Sequence, residues 1–345
     1  MEKKIYHFFP TDQKGVIARL GPKRLKECLR QMFLIRHFEI RGEAAYQQGK
    51  VGGFYHSYMG QEAIQTACVA VAGKDHWFTT TYRCHALALL LQDSPETMMA
   101  ELYGKTTGIA KGRGGSMHMY SDRLLGGLAI VGGHVPIATG AAFTIRYLKE
   151  KGKASFCFLG EGAVVQGAVH ESLNMASLWN LPGIYVIENN QWGMGTSVER
   201  AVAVKPIAEN YAKAYGISSY TMDGLDFFNC CSTFEAALKE CVTHSRPVLM
   251  EAVTERFKGH SISDPGLYRT KDALKEIETK DPLILMKKTL IAEGIITEEE
   301  VSAMDLEEKE RVLKAMEFAE QSPLPDVSEL ELGVFAPEEE PHASC

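Results

Sequence analysis

Between Lys153 and Asn190 an apolar run, a glycine turn, a helix-period stretch and a second apolar run follow one another, and this order constrains the fold most. KASFCFL reads as a buried strand, GEG as the turn that ends it, and Val165, Val169, Leu173 and Ala176 as one face of a helix. GIYVIE reads as a second buried strand, and NNQWG follows it. Strand, turn, helix, strand is a βαβ unit, whose two strands must lie parallel. Repeating it gives an α/β fold: a mostly parallel sheet flanked by helices on both faces. PVLMEAVTERF (247–257) is a further candidate strand, leading into the loop KGHSISDPGLYR.

The flanking regions have different patterns. From Pro22 to Gly49 the stretch opens on Pro and closes on Gly, with Leu25, Leu29, Met32 and Phe33 at helical spacing, so a long amphipathic helix is expected. Glycine is dense from there to Gly140, in GKVGGF, KGRGGSMHMYS and GGLAIVGGHVP, a composition suited to loops that approach something closely. Beyond Asp281 the chain reads as helical and charged, and 323–345, with EEEPHASC, as an exposed tail. The expected division is an N-terminal helical extension (1–48), an α/β domain (49–285) and a C-terminal helical segment with its tail (286–345).

Composition excludes several classes. The net charge is −7, with Lys and Arg scattered among acids, so no footprint for nucleic acid is present. Eight cysteines form no CxxC pair, which argues against a zinc ribbon or thioredoxin-like motif and for reduced thiols in a cytoplasmic protein. No run approaches the ~18 apolar residues of a membrane span, and MEKKIYHFFP lacks the apolar core of a signal peptide.

The turn FLGEGAVVQG (158–167) poses an electrostatic problem, because glycines at a strand-to-helix turn usually admit a phosphate, and Glu161 would repel one. A cation between them removes the conflict. Asn190 stands 29 residues beyond Glu161 (161 to 190), an interval that suits a βαβ unit of roughly 30 residues and puts both side chains at one carboxyl edge. Mg2+ favours oxygen ligands, takes one or two carboxylates from protein and fills its remaining positions with water and phosphate. On this reading Glu161 and Asn190 hold the ion, and the amides of Gly162 and Ala163, at a helix N-terminus, face a diphosphate. A tight turn carrying a solvated Glu fits the same stretch. A dinucleotide fingerprint does not, since Val165 occupies its third glycine position, and Met99 stands where a P-loop ending at Gly104-Lys105-Thr106 needs glycine.

Taken whole, GEGAVVQGAVHESLNMASLWNLPGIYVIENN (160–190) resembles the cofactor motif of thiamin diphosphate-dependent enzymes. With GFYHSYMGQEA, TTYRCHA, KGRGGSMHMYS, IVGGHVP, ENNQWGMGTSVER and GHSISDPGLYRT, the span from about Arg36 to Pro282 resembles the alpha subunits of pyruvate dehydrogenase, in the thiamin diphosphate-dependent 2-oxo acid dehydrogenase family. The resemblance implies the thiamin diphosphate-binding fold and assigns Mg to Glu161, Asn190 and the backbone carbonyl of Trp192. It places Tyr82, Arg83, Gly162, Ala163, Gly193 and His260 against the cofactor, and Ala129 and Val131 where its aminopyrimidine is contacted or its folded shape is set. His56 and His260 match catalytic histidines, although a lone histidine between aromatics, as in FYHSY, is ordinarily structural, and His260 lies in a loop where exposure is the ordinary expectation. His118 receives no role beyond structure.

The implied activity is oxidative decarboxylation of pyruvate with reductive acetylation of a lipoyl group on the dihydrolipoyl acyltransferase component. The cofactor supplies the reactive carbon, and the protein binds, orients and excludes water. The family also implies a beta subunit that carries the acid activating the aminopyrimidine, in a heterotetramer of two alpha and two beta subunits. Three positions depart from the animal pattern: Glu161 replaces Asp, Ala129 replaces Gly, and GHSISDPGLYR is one residue short. Glu at the first also occurs in branched-chain 2-oxo acid relatives, but KGRGGSMHMY and GMGTSVER resemble the pyruvate enzymes, and acetoin dehydrogenases lack GTSVER and HVP. A noncatalytic scaffolding subunit is the alternative of another class. Ser261 matches a serine phosphorylated in animal enzymes.

Overall fold

A computed structural model describes residues 5–92, 94–330 and 332 of the chain. The strands are β1 (Trp77–Thr81), β2 (Leu124–Leu128), β3 (Ser155–Gly160), β4 (Gly183–Asn189), a short hairpin of β5 (Trp192–Gly193) and β6 (Thr196–Ser197), then β7 (Ser218–Asp223) and β8 (Val248–Val253). Six of them form one parallel sheet in the order β2-β1-β3-β4-β8-β7. The helices are α1 (Gln13–Gln47), α2 (Glu62–Ala72), α3 (His85–Gln92), α4 (Pro95–Leu102), α5 (Val135–Tyr147), α6 (Gly167–Leu178), α7 (Val198–Ala201), α8 (Ile207–Tyr215), α9 (Phe227–His244), α10 (Lys271–Glu278), α11 (Pro282–Ala292) and α12 (Glu298–Gln321).

β4 and β8 are buried along their whole length, because helices cover both faces of the sheet and no alternation with polar residues is needed. Side chains alternate across the pleat between two cores. Phe156, Phe158, Ile184, Val186, Val248 and Met250 join the core built with α1, α2, α9 and α12, while Cys157, Leu159, Tyr185, Ile187 and Leu249 join the one under α5, α6 and α8. The α/β fold expected from the βαβ unit is therefore present, with parallel strands and a helix layer on each side.

Two boundaries differ from expectation. The first helix begins at Gln13, where the Asp12 side chain accepts the Gly15 N–H, and it breaks at Gly21 (φ 71°) just before Pro22, the expected start. The turn after β3 is a single 3-10 turn over Glu161–Ala163, and α6 begins only at Gly167 because Gln166 is extended (ψ 137°). Gly162 and Ala163 are thus in the 3-10 turn, not at the N-terminus of the α-helix.

The glycine-rich run folds around a buried carboxylate. Glu101 accepts the N–H groups of Ala110, Gly112, Gly114 and Gly115 at 2.7–3.1 Å, and a Cβ on Gly108 would lie 2.4 Å from its Oε2. The described part of the expected tail runs beside it, with Pro323 O accepting from Thr106 N–H and Glu329 O from Arg113; the rest of that tail lies outside the described residues.

The register positions the site. Gly160 pairs with Glu188 and Asn189 with Val253, so the chain leaves β3, β4 and β8 at one edge. β1 connects outward to β2 and β3 onward to β4, so the chain changes direction between β1 and β3. A crevice at the carboxyl edge beside such a switch point is where open α/β sheets bind ligands.

Candidate cofactor site

At that edge lies a cavity of about 440 Å3, within the range of small-molecule sites. The loop after β1 brings Tyr82 and Arg83, the one after β2 Ala129 and Val131, the turn after β3 Glu161, Gly162 and Ala163, and the chain after β4 Asn190, Trp192 and Gly193. His56 enters from the loop before α2 and His260 from the loop after β8, so all twelve residues singled out from the sequence line this one cavity.

Glu161 is buried and incompletely bonded. Its Oε2 accepts the Asn190 N–H at 3.3 Å, whereas Oε1 has no partner, and burial raises its pKa against the opposing pull of Arg256 and Arg83. The Asn190 amide donates to Gln61 Oε1 at 3.2 Å, which leaves its carbonyl oxygen turned to the Trp192 N–H at a long 3.4 Å. A Cβ on Gly162 would meet only the Gly193 Cα, at 3.8 Å, so backbone can approach from that side. One carboxylate with a bare oxygen, one amide oxygen and an open glycine turn fit a hard cation whose shell is completed by phosphate and water. Among the described residues no group of three His, Cys, Asp or Glu offers a different kind of metal site.

The opposite wall is cationic and aromatic. Arg83 is buried; its guanidinium donates to His260 O at 3.0 Å and to Ser57 O, tying the two histidine loops together. Burial and then Arg256 push Arg83 down to about 10, because no carboxylate pairs with it. The His56 ring lies 4.4 Å from Tyr82 and 5.1 Å from His260, centroid to centroid, and its Nδ1 is buried without a partner. Burial first, then Arg83, push His56 down to about 2 and His260 to about 3, so both are neutral imidazoles at pH 7. An anion on Arg83 would offset that positive field.

The loop carrying His260 is organised by Asp264, which accepts the His260 N–H (2.6 Å), the Gly266 N–H (2.9 Å) and the Tyr268 hydroxyl (2.6 Å). Tyr268 also packs on Trp192 at 4.8 Å between ring centroids, linking this loop to the turn after β4. Ser261 is buried, its Oγ 2.9 Å from Ser263 Oγ. His118 is exposed with its Nδ1 3.2 Å from Gly114 O, away from the cavity.

Sequence reasoning missed Gln61, Glu188 and His134 in the lining, and Arg256 behind it. Glu188 is held by Tyr58 and Gln65, and burial pushes it up to about 7. His134 Nε2 donates to Phe158 O at 2.8 Å and so fixes the loop after β2 to β3. The missed signal is a charge at the end of an apolar run: Glu188 ends GIYVIE, and Arg256 follows β8 almost at once, after Glu251 and Glu255. In a strand buried on both faces, such a charge needs a partner at the strand end.

The model of the family described as "Dehydrogenase E1 component" matches residues 30–328. The protein named pyruvate dehydrogenase E1 component subunit alpha from Rickettsia conorii is 41% identical over 337 residues, 97% of this chain and 100% of its own length. Proteins of the same name from Rhizobium meliloti and Zymomonas mobilis are each 40% identical, over 92% and 89% of this chain and 91% and 87% of their own lengths. The family match takes in every cavity residue named above, and the chain belongs to the dehydrogenase E1 component family.

Proposed function

We propose that this chain is the alpha subunit of a pyruvate dehydrogenase first component, holding the diphosphate half of a thiamin diphosphate site that a beta subunit completes. The observation that carries the reading is the convergence of four strand ends and two histidine loops on one cavity around a buried carboxylate with a bare oxygen. Glu161 Oε1, the Asn190 side-chain oxygen and the Trp192 carbonyl would hold Mg2+, with phosphate oxygens completing its shell. The Gly162 and Ala163 amides would donate to the diphosphate, and Arg83 would face it as a buried cation lacking a carboxylate partner. Bound there, the cofactor supplies the nucleophilic carbon and electron sink for decarboxylation. His56 and His260, neutral and with ring centroids 5.1 Å apart, would each present a hydrogen-bond donor and an acceptor nitrogen at the reacting end.

Pairing with a beta subunit is supported by an uncovered apolar face on α5 and at the C-terminal end of α6. Phe143 stacks on Tyr147 (6.1 Å) and meets Trp179 edge-on (5.9 Å), although Tyr147 is 74% exposed and Phe143 46%. The family reading adds the dihydrolipoyl acyltransferase component as acceptor, and an assembly of two alpha and two beta subunits. No helix among the described residues is long and apolar enough to cross a membrane. The seven cysteines among the described residues are buried and unpaired, consistent with the cytoplasmic placement proposed here.

Reconstitution with a beta subunit, followed by 2-oxo acid-dependent reduction of an artificial electron acceptor, tests the substrate. Pyruvate is expected to exceed branched-chain 2-oxo acids and acetoin in kcat/KM. Preference for either competitor overturns the pyruvate reading.

A further inference from the structure

The turn bearing Asn190 and Trp192 is held from outside the cavity. Gln191, between them, adopts a left-handed backbone (φ 72°), which a residue with a Cβ takes up at a cost. The Asn189 side chain supports it, its oxygen accepting both the Gln191 N–H (3.1 Å) and the Gln191 side-chain amide (2.9 Å). Val198 N–H donates to Gln191 O at 2.9 Å from the far side. The Asn189 amide is itself oriented by two acceptors, Glu251 Oε1 at 2.7 Å and the Tyr6 hydroxyl at 3.2 Å.

Tyr6 belongs to a segment that precedes α1 and lies along the edge of the sheet. Phe9 N–H donates to Thr221 O of the edge strand β7 at 2.8 Å, and the Phe9 ring meets Tyr220 edge-on at 5.5 Å. Asn229 donates to Phe9 O (2.7 Å) and Thr11 Oγ1 (2.8 Å), and Asp12 N–H to Ser232 Oγ (3.0 Å). The segment is therefore fastened at four points to β7 and α9.

We propose that residues 5–12 form a strap that fixes the cation-binding turn: Tyr6 orients the Asn189 amide, and Asn189 holds Gln191 in the backbone conformation that directs Asn190 and Trp192 to the ion. Tyr6, Asn189 and Gln191 are positioning residues, since none of them lines the cavity. This rests on the reading of Glu161 and Asn190 as cation ligands.

The test uses the chain assembled with its beta subunit. Mg2+ is titrated at saturating thiamin diphosphate and followed by calorimetry and by tryptophan emission, which Trp192 in the turn reports. Tyr6→Phe is expected to raise the Mg2+ half-saturation about 10-fold, the scale on which outer-shell partners act, without moving the unfolding midpoint. Gln191→Ala should do the same, and Gln191→Gly should do so less, because glycine adopts the left-handed conformation freely. A Tyr6→Phe titration that overlays the parent overturns the proposal, with or without a change in unfolding midpoint. Glu161→Gln separates the two readings. If it weakens Mg2+ binding while Tyr6→Phe does not, only the strap fails; if it has no effect, the cation reading fails first.

Discussion

Glu161→Gln is expected to move the cofactor-free and cofactor-loaded protein in opposite directions. Without cofactor, Glu161 is a buried carboxylate with one bonded and one bare oxygen, and its neighbouring cations Arg256 and Arg83 lie beyond hydrogen-bond contact. A buried unsatisfied group costs about 1–3 kcal/mol, and a charged one more. The amide keeps the acceptor for the Asn190 N–H and replaces the bare charged oxygen by a bare neutral group, so a gain of about 1–2 kcal/mol is expected. With about 2 cal/mol/K of unfolding entropy per residue over a chain of 345 residues, that gain raises Tm by about 1.5–3 °C. With cofactor the sign reverses. Thiamin diphosphate and Mg2+ at 100 times their Kd stabilise the parent by about 2.7 kcal/mol, and the variant, lacking the charged ligand, should lose most of that. Thermal melts of the assembled protein with and without both ligands read the two effects together. A variant that melts lower without ligands and keeps the full ligand-induced shift would refute the cation assignment.

Arg83→Lys cannot bond both Ser57 O and His260 O with the planar fork of Arg83, and cofactor affinity measured by calorimetry should fall by about 10-fold or more; unchanged affinity would place Arg83 away from the phosphates. His56 and His260 have folded pKa values of about 2 and about 3, below the unfolded 6.5, so the unfolded chain binds more protons in between and stability falls as pH drops below about 6.5. For His56 that amounts to about 2 kcal/mol at pH 5, and His56→Asn should flatten the pH dependence of urea unfolding; parallel profiles would contradict it. Ser261→Glu places a charge in a buried position beside Ser263 in the loop that Asp264 organises, so faster limited proteolysis of that loop and lower activity are expected, and unchanged cleavage with full activity would speak against loop control through Ser261.

How far the site was legible depended on how each residue is held. Glu161 and Asn190 stand at consecutive parallel strand ends, where the length of a βαβ unit fixes their separation, and they do meet, with the Asn190 N–H on Glu161. His56 and His260 come from loops without hydrophobic periodicity, so only the family resemblance pointed to them. Glu188 and Arg256 were hidden inside segments read as strands, because periodicity weighs apolar residues and passes over charges near a strand end. The expected helix start at Gly162 failed for a local reason: AVVQG is compatible with a helix, but the chain is extended at Gln166 before α6 begins. The strap was invisible, since IYHFFP has no pattern and gains its order from β7 and α9.

The central claim is that Glu161 and Asn190 bridge a diphosphate through Mg2+, and calorimetric titration of thiamin diphosphate into the chain assembled with its beta subunit tests it most directly. With Mg2+ present, saturable binding at equimolar ratio to the chain is expected; with Mg2+ removed by a chelator, affinity should fall by about 100-fold, as for loss of a metal clamp worth about 2.7 kcal/mol. Equal binding with and without the ion, or no binding in the assembled protein, would contradict the account.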